Sequence, residues 1–336
     1  MRILVTGATG FIGAHTVIEL IDNNFEVVLL DNLSNSKISV IDRLQKIANK
    51  ELDFVKCDLR KLSDIKDVFA KYKIDAVSHF AGFKSVSESI QKPFSYYENN
   101  IGGTINLLHA MSNSGVKRLV FSSSATVYGK AKKLPIQEDS KLKALNPYAE
   151  SKLVIEQMLN GLCKADNEWK LITLRYFNPV GAHESALIGE DPLDSPNNIM
   201  PMISRVALGI EKKLEVFGDD YRTPDGSGIR DYIHVIDLAK GHVAAIQKLF
   251  DQNFSEILEI NLGTGRGISV FELIEKFTKV SGVNLPFVVA PRRPGDIAES
   301  YASVELAKQE LSWEATLDLY RMCKDTWNWQ KRNFNT

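Results

Sequence analysis

The sequence predicts an α/β fold, a Rossmann-type doubly wound parallel sheet with a second, smaller α/β domain. Three observations carry this prediction. A strand, a glycine loop, a helix and another strand follow one another in the first 31 residues. Short apolar runs then alternate with helical patterns, as in βαβ units. Beyond residue 175 the chain is polar and rich in Pro and Gly at 183–198 and 218–228, which indicates substrate loops of a second region.

The elements of the predicted sheet can be placed in order. We expect strands at residues 3–6, 26–31, 53–58, 76–82, 119–122 and 171–175, and helices at 15–23, 63–71, 95–112 and 148–163. A helix at 238–250 and a strand at 257–261 follow, and we predict that this strand rejoins the first sheet.

The loop between the first strand and the first helix has the spacing G-x-x-G-x-x-G, a variant of the dinucleotide-binding fingerprint. Gly7 permits the tight turn, Gly10 the close approach of a pyrophosphate, and Gly13 the packing of helix on strand. The amino terminus of the helix then faces the phosphates. Asp31, at the end of the second strand, can accept from both adenosine ribose hydroxyls and repels a 2′-phosphate, so NAD is favoured over NADP.

Two other strand ends offer contacts to the same cofactor. Asp58 can bind the adenine amino group, and Phe80, Ala81, Gly82 and Lys84 follow the fourth strand. Ligands of open parallel sheets bind at this edge. Each of these residues can equally serve the loop itself.

Three serines end the buried strand at 119–121 and reach the same edge of the sheet. Ser124 is placed to hydrogen-bond a substrate hydroxyl and to relay its proton to Tyr148. The alternative is that Ser124 only caps the transition from strand to loop.

A tyrosine and a lysine four residues apart complete a possible proton-handling site. Asn146 can cap a helix that Pro147 opens, which sets Tyr148 and Lys152 on one helical face. A phenol of pKa about 10 needs a shift of about three units to act as a base at neutral pH, or about 4 kcal/mol. One cation about 4 Å away, at an effective dielectric near 20, supplies about that much. We therefore expect Lys152 to lower the pKa of Tyr148.

Composition excludes several classes of function. With 336 residues and a formal net charge of −1, the chain lacks the basic surface that a nucleic-acid partner requires. It has neither a long apolar run nor a signal-peptide pattern, so neither a membrane nor export is expected. Three widely spaced cysteines fit reduced thiols in the cytoplasm. The six histidines show no metal-ligand spacing, and no metal site is expected; His79, His109 and His234 are interpreted as structural.

Motifs along almost the whole chain resemble the extended short-chain dehydrogenase/reductases, and most closely their UDP-glucose 4-epimerase family. They lie at residues 6–13, 30–36, 79–82, 121–129, 175–182, 230–235 and 292–296. The resemblance implies that Tyr148 removes a proton from the C4 hydroxyl of a UDP-hexose with Ser124 as relay, while NAD takes the C4 hydride and later returns it to the opposite face. Such an enzyme must bind the nucleotide tightly and the hexose loosely, so that both faces of the sugar can meet the nicotinamide.

The resemblance also implies site residues. Cofactor contacts extend to Phe11, Ile12, Asn32, Asn35, Ser36, Leu59, Asn99, Ser122, Tyr148, Lys152 and Phe177. Contacts to the UDP-sugar are expected from Ser124, Tyr148, Asn178, Asn198, Ile199, Phe217, Arg230, Arg293, Asp296 and Ser300. In this set Phe217 packs at the uracil, and Asp296 binds the uridine ribose. Arg230 and Arg293 neutralise the diphosphate; a surface ion pair is the alternative for either arginine.

Differences from related enzymes of the same scaffold reduce the number of reactions expected for this chain. Dehydratases of this scaffold carry an Asp-Glu pair after the Ser/Thr, and decarboxylases place a Glu there, whereas this chain has Ala125 and Thr126. Epimerisation is favoured over a nucleotide-sugar dehydratase or decarboxylase. A non-catalytic NAD sensor is disfavoured by the intact serine, tyrosine and lysine. Ser300 stands where a bulky tyrosine restricts some relatives to plain hexoses, so UDP-GlcNAc and UDP-GalNAc are expected as further substrates.

The resemblance finally suggests an organisation for the chain. We expect residues 1–175 plus 230–263 to form the NAD-binding domain and residues 176–229 plus 264–336 to form the UDP-sugar-binding domain. The helix at 148–163 carries Val154, Ile155, Met158 and Leu162, more apolar surface than one core face requires. A homodimer packed through helices is therefore predicted.

Overall fold

The computed structural model describes residues 1–193, 198–254, 256–293 and 295–334. Its strands are β1 (Arg2–Thr6), β2 (Glu26–Asp31), β3 (Asp53–Lys56), β4 (Ala76–His79), β5 (Arg118–Ser122), β6 (Lys170–Tyr176), β7 (Asn178–Val180), β8 (Leu214–Phe217), β9 (Ile229–Arg230), β10 (Tyr232–His234), β11 (Glu256–Leu262), β12 (Ile268–Ser269), β13 (Phe287–Ala290) and β14 (Glu299–Ser300).

The α-helices are α1 (Phe11–Asp22), α2 (Ser39–Ala48), α3 (Leu62–Lys71), α4 (Val86–Gln91), α5 (Pro93–Tyr96), α6 (Gly103–Asn113), α7 (Pro147–Ala165), α8 (Ile199–Ala207), α9 (Val235–Leu249), α10 (Val270–Ser281), α11 (Glu305–Leu311) and α12 (Leu319–Phe334). A π-helical segment at Tyr97–Gly102 and a 3₁₀ turn at Ala125–Tyr128 complete the helical elements of these residues. No helix in these ranges is both long enough and apolar enough to cross a bilayer.

Seven parallel strands form the central sheet in the order β11-β6-β5-β4-β1-β2-β3. Successive side chains of a strand point to opposite faces. Ile3 and Val5 accordingly pack on one side of the sheet with residues of α1 and α9, while Leu4 packs on the other with residues of α3, α6 and α7. Helices thus cover both faces, and the predicted doubly wound fold is confirmed. The predicted return of the last strand is also confirmed, because β11 pairs with β6.

Two helical predictions differ from the structure in their details. The first helix begins at Phe11, since Gly10 already adopts the extended conformation of an N-cap. The helix expected at 95–112 is divided into α5, the π-helical segment and α6. The helix expected at 148–163 is α7, and the predicted cap is confirmed: Asn146 accepts a hydrogen bond from the Ala149 amide at 2.9 Å.

A second core is built from the later part of the chain. Met200 of α8, Phe277 of α10 and Met322 of α12 are buried in it. Small sheets surround it: β7 pairs with β10, β8 with β13, and β9 with both β12 and β14. The predicted division into two domains stays a prediction, since Tyr232 lies in this second core while Leu311 packs into the first.

Candidate active site

The cleft of the molecule opens where the strand order reverses, between β1 and β4. Gly7, at φ +70°, lies so close to the loop after β4 that a Cβ atom there would stand 2.7 Å from the Ala81 nitrogen. A Cβ atom on Gly13 would overlap the carbonyl oxygen of Gly7. Side chains are therefore excluded from both positions, and the amino terminus of α1 is left facing the cleft.

Most of the residues predicted to bind the cofactor line this cleft. They are Gly7, Gly10, Phe11, Ile12, Gly13, Asp31, Asn32, Asn35, Ser36, Asp58, Leu59, Phe80, Ala81, Gly82, Lys84, Asn99, Tyr148 and Lys152. Two predicted cofactor contacts, Ser122 and Phe177, are not among the residues that line the cleft. The Ser122 hydroxyl forms a hydrogen bond with Nε2 of His242 at 2.8 Å, and Phe177 is buried with Val127 and Tyr128.

Acidic side chains stand at the end of the cleft beyond β2. The Asp31 carboxylate, 9% exposed, accepts from the amide of Thr9 at 3.2 Å and from the amide of Leu33 at 2.8 Å. These bonds fix the carboxylate at the strand end, where the sequence places it against a ribose. A hydrogen bond from the Arg60 side chain lowers the pKa of Asp58 to about 2, so this carboxylate is ionised at neutral pH.

Tyr148 and Lys152 also line the cleft, and Ser124 lies next to Tyr148. Ser124 accepts from the Thr126 amide at 3.2 Å and from the Thr126 hydroxyl at 3.0 Å. With these two bonds accepted, the Ser124 hydroxyl proton is directed elsewhere. The Ser124 hydroxyl interacts with the Tyr148 phenol and acts to lower its pKa, so the expected juxtaposition of serine and tyrosine is present.

Lys152 lies one helical turn after Tyr148, and its ammonium donates to the main-chain oxygen of Ser122 at 2.8 Å. The same nitrogen lies 4.8 Å from the centre of the Phe121 ring. A Cβ atom on Gly82 would stand 3.8 Å from it. Burial lowers the pKa of Lys152 to about 8, against an opposing contribution from Glu156.

The expected lowering of the Tyr148 pKa is wrong for the polypeptide alone. Burial raises the pKa of Tyr148 above its ordinary value, and the hydrogen bond with Ser124 only partly offsets this. Attraction between phenolate and ammonium lowers the pKa of a tyrosine, whereas removal of the phenolate from water raises it. In the structure the cost of that removal dominates, and the Lys152 ammonium is directed to a carbonyl oxygen.

Part of the predicted UDP-sugar site is gathered around β9. Arg230 pairs in register with Ser300 of β14, and Ser300 is 9% exposed. Buried Asp231 accepts from the amides of Thr264 and Ala302 at 2.8 and 3.1 Å, and so ties these segments together. Sequence reasoning missed Asp231; its signal was an acidic residue between Arg230 and the largely apolar strand β10.

The other predicted nucleotide contacts form a second group. The Arg293 guanidinium lies 4.6 Å from the centre of the Phe217 ring and bonds to Asp296 at 3.0 Å. Charges on Arg230, Arg293 and Asp296 all act on the pKa of Tyr221, which indicates that the two groups are neighbours. Asn178 pairs with Tyr232 in the small parallel sheet, and Ile199 opens α8.

A segment before α8 forms a cleft wall that the sequence did not predict. Residues Ile188, Gly189, Glu190, Asp191 and Pro192 line the cleft, as do Arg43 and Trp329. Glu190 pairs with Lys84 at 2.9 Å and accepts from Asn198 at 3.0 Å. Residues 188–192 of the predicted substrate loop at 183–198 thus face the cofactor cleft, and residues 194–197 lie outside the described residues. Trp329 donates a hydrogen bond to the main-chain oxygen of Glu190 at 3.3 Å, and no pattern in the sequence predicts this contact.

The fold and the site together define a class of protein: Rossmann-fold enzymes of the short-chain dehydrogenase/reductase type, with a serine, a tyrosine and a lysine at the cofactor cleft. A family model described as GDP-mannose 4,6 dehydratase matches residues 4–326. The UDP-glucose 4-epimerase of Bacillus subtilis (strain 168) is 52% identical over 335 residues, which cover 100% of this chain and 98% of that protein. The chain belongs to the UDP-glucose 4-epimerase family.

Solved structures agree with this membership. A UDP-glucose 4-epimerase from Stenotrophomonas maltophila with bound NAD and formylated UDP-arabinopyranose superposes with a TM-score of 0.97 at 49% identity, covering 100% of this chain and 99% of that chain. A UDP-glucose 4-epimerase from Bifidobacterium longum in complex with NAD+ and UDP gives 0.95 at 47% identity, with the same coverage.

Proposed function

We propose that the protein is an NAD-dependent 4-epimerase that interconverts UDP-glucose and UDP-galactose through a 4-keto intermediate. The observation that carries the proposal is the juxtaposition of Ser124 with Tyr148, which lies one helical turn from Lys152 at the wall of a glycine-lined cleft. The similarity to UDP-glucose 4-epimerases, two of which have solved structures with bound NAD, supports it.

The cleft fits a dinucleotide in three respects. Its glycines leave main-chain amides accessible where a Cβ atom would collide with backbone. The amino terminus of α1 favours phosphate, and Asp31 stands at the strand end to accept from ribose hydroxyls and to repel a 2′-phosphate. NAD, when bound, supplies a hydride acceptor for C4 of the hexose and, once reduced, a hydride donor.

Proton movement is assigned to the chain's own residues. The C4 hydroxyl donates to Ser124 in place of the Thr126 amide, while the Thr126 hydroxyl keeps Ser124 oriented, and Ser124 passes its own proton toward Tyr148. Lys152, one helical turn from Tyr148, is assigned the positive charge that favours the tyrosinate, although burial dominates the Tyr148 pKa in the polypeptide alone. The same residues return the proton when the 4-ketose has turned over. Because β-elimination also needs an acid where Ala125 and Thr126 stand, the dehydratase alternative lacks a residue for that step.

We assign binding of the UDP-sugar to side chains around β9 and β13. Arg230 and Arg293 supply two guanidinium groups for the diphosphate, Phe217 a ring for the uracil, and Asp296 a carboxylate for the uridine ribose. Asn178, Asn198 and Ile199 are assigned to the sugar side. We extend the proposal to UDP-GlcNAc and UDP-GalNAc, because Ser300 is small at the position where a bulky residue narrows the site in some relatives.

The proposal includes a homodimer in the cytoplasm. Ile90 and Phe94 are 62% and 80% exposed on α4 and α5, which pack against α7. Large apolar side chains left in water at this level mark an interaction surface. Met158 and Leu162 of α7 pack partly into the core, so the dimer surface proposed here centres on Ile90 and Phe94. Cys57 and Cys323 are buried thiols without a disulfide, as is usual in a reducing compartment.

The test is to incubate purified protein with UDP-galactose, without added dinucleotide, and to follow formation of UDP-glucose by NMR. We expect turnover from retained NAD. Tyr148→Phe should lower kcat by at least about 100-fold, since it removes the proton acceptor. Absence of UDP-glucose, or release of water from the sugar, would overturn the proposal.

A further inference from the structure

A buried carboxylate on α7 has no role in the proton path described above. Glu156 is 1% exposed and accepts a hydrogen bond from the Ser123 hydroxyl at 2.5 Å. Ser123 is fully buried and lies between the two serines that contact Lys152 and Tyr148. A buried charge in this position calls for an explanation, because its desolvation is costly.

The spacing along α7 provides one. Tyr148, Lys152 and Glu156 follow one another at four-residue intervals and therefore share one helical face. Each contacts a different member of the three-serine run: Tyr148 the hydroxyl of Ser124, Lys152 the carbonyl oxygen of Ser122, and Glu156 the hydroxyl of Ser123. The end of β5 is thus attached to α7 at three consecutive residues.

A buried arginine holds the carboxylate in place. Arg175 Nε lies 3.1 and 3.2 Å from the two oxygens of Glu156, and its Nη2 lies 2.7 Å from Oε2. Arg175 itself extends from β6, the strand beside β5, and also donates to the Tyr128 hydroxyl at 3.1 Å. This bidentate pairing fixes the orientation of the carboxylate that Ser123 meets.

We propose that Ser123 and Glu156 are positioning residues for the epimerase reaction. Their hydrogen bond holds the serine run in register with α7, so that the Ser122 carbonyl meets Lys152 and the Ser124 hydroxyl meets Tyr148. The inference rests on the proposed function and extends it to two residues that touch neither sugar nor cofactor.

The rate of the chemical step depends strongly on the alignment of the serine run with α7. A displacement of about 1 Å at reacting groups can cost about 100-fold in rate. The negative charge has a second effect, because Glu156 raises the pKa of Lys152 against the lowering by burial. Loss of the charge should therefore leave Lys152 protonated over a narrower range of pH.

Ser123→Ala is the main test, because it removes the link to the serine run and leaves the Glu156–Arg175 pair intact. We expect kcat to fall by about tenfold or more, with KM changed less than about twofold. Tyr128→Phe is the matched control: it removes one hydroxyl from the other side of Arg175 and should keep kcat within about twofold of wild type. Equal losses in the two variants, or an unchanged kcat in Ser123→Ala, would overturn the inference.

Two further readouts separate positioning from simple structural weakening. In Glu156→Gln the alkaline limb of the kcat–pH profile should move to lower pH; an unmoved limb in folded protein speaks against the charge effect. Ultraviolet difference titration, with Tyr148→Phe as blank, should show Tyr148 titrating at higher pH in Ser123→Ala, since its bond with Ser124 is loosened. This titration needs no turnover, so an inactive wild type would refute the proposed function while the titration still decides the positioning.

Discussion

Thr126 donates a hydrogen bond from its hydroxyl to Oγ of Ser124 at 3.0 Å. Thr126 occupies one of the two places where dehydratases of this scaffold carry an acidic pair, so the sequence showed only what was missing there. The structure adds a positive role, because the bond orients the serine whose proton is directed to Tyr148.

Thr126→Val tests this role. The loss of one hydrogen bond of about 1 kcal/mol should lower kcat about 3- to 10-fold in the UDP-galactose assay, with little change in KM. Thr173→Val is the control, because the buried Thr173 hydroxyl has no hydrogen-bond partner among the described residues and its loss should leave kcat unchanged. A Thr126→Val enzyme with wild-type kcat would show that Ser124 is oriented without this bond.

A second prediction concerns pH. The pKa of Lys152 is lowered to about 8, so the ammonium is present below that pH and is lost as the pH rises through it. Burial also raises the pKa of Tyr148, so the phenol alone provides no compensating ionisation in this range. We therefore expect kcat at saturating UDP-galactose to decline above about pH 8.

The measurement is a kcat–pH profile of wild type beside Lys152→Arg. The arginine stays charged throughout the range, so its profile, at a lower absolute rate, should lack the alkaline decline. A wild-type rate that keeps rising well above pH 8 would contradict the assignment of that value to a required ammonium.

Local patterns were sufficient for the fold and for placing Tyr148 and Lys152 at the same cleft as the glycine loop; their role in proton transfer stays a prediction. The glycine spacing, the apolar runs and the pair Tyr148–Lys152 are each contained within a short stretch of chain, and the structure brings them to one cleft. Other features of the site could not be predicted, because they depend on packing between distant parts of the chain. The pairing of Lys84 with Glu190 joins residues 106 positions apart. The sign of the Tyr148 pKa shift depends on burial, which a spacing along one helix does not reveal.

The Lys84–Glu190 pair provides a third prediction, on cofactor retention. Glu190 is largely buried, with 10% of its side chain exposed, and it connects the loop after β4 to the wall before α8. Glu190→Gln should increase the rate of NAD loss by about fivefold or more, because Lys84 and Asn198 lose a shared charged partner. The measurement is the NAD content of the protein after gel filtration, assayed following denaturation.

Asp191→Asn is the matched control for that experiment. It makes the same change on the neighbouring residue, whose pair with Lys37 is about half exposed on both sides, at 46% and 51%. Exposed pairs contribute about 0–1 kcal/mol, so NAD retention should change less than about twofold. Equal losses of NAD from both variants would show that net charge near the cleft, rather than the Lys84–Glu190 pair, controls retention.

A fourth prediction concerns the dimer. Phe94→Asp places a charge at the centre of the proposed apolar surface and should convert the protein to a monomer, measured by sedimentation equilibrium. Phe287→Asp, at a phenylalanine that is 45% exposed on β13, should leave the association state unchanged. A Phe94→Asp protein that sediments like wild type would place the interface elsewhere.

The final prediction concerns Ser300 and the breadth of sugars accepted. Ser300 pairs in register with Arg230, so its side chain has a fixed position beside the residue proposed to bind the diphosphate. Only 9% of the residue is exposed, and we expect a tyrosine ring at this position to take up space in the proposed sugar site. Ser300→Tyr should therefore abolish turnover of UDP-GlcNAc and UDP-GalNAc while UDP-glucose and UDP-galactose react within about fivefold of the wild-type rate. Ser300→Ala, which adds no volume, should process both pairs. The comparison is kcat/KM for all four sugars in the three proteins, and an equal loss of both pairs in Ser300→Tyr would show that Ser300 supports the site as a whole without selecting between substrates.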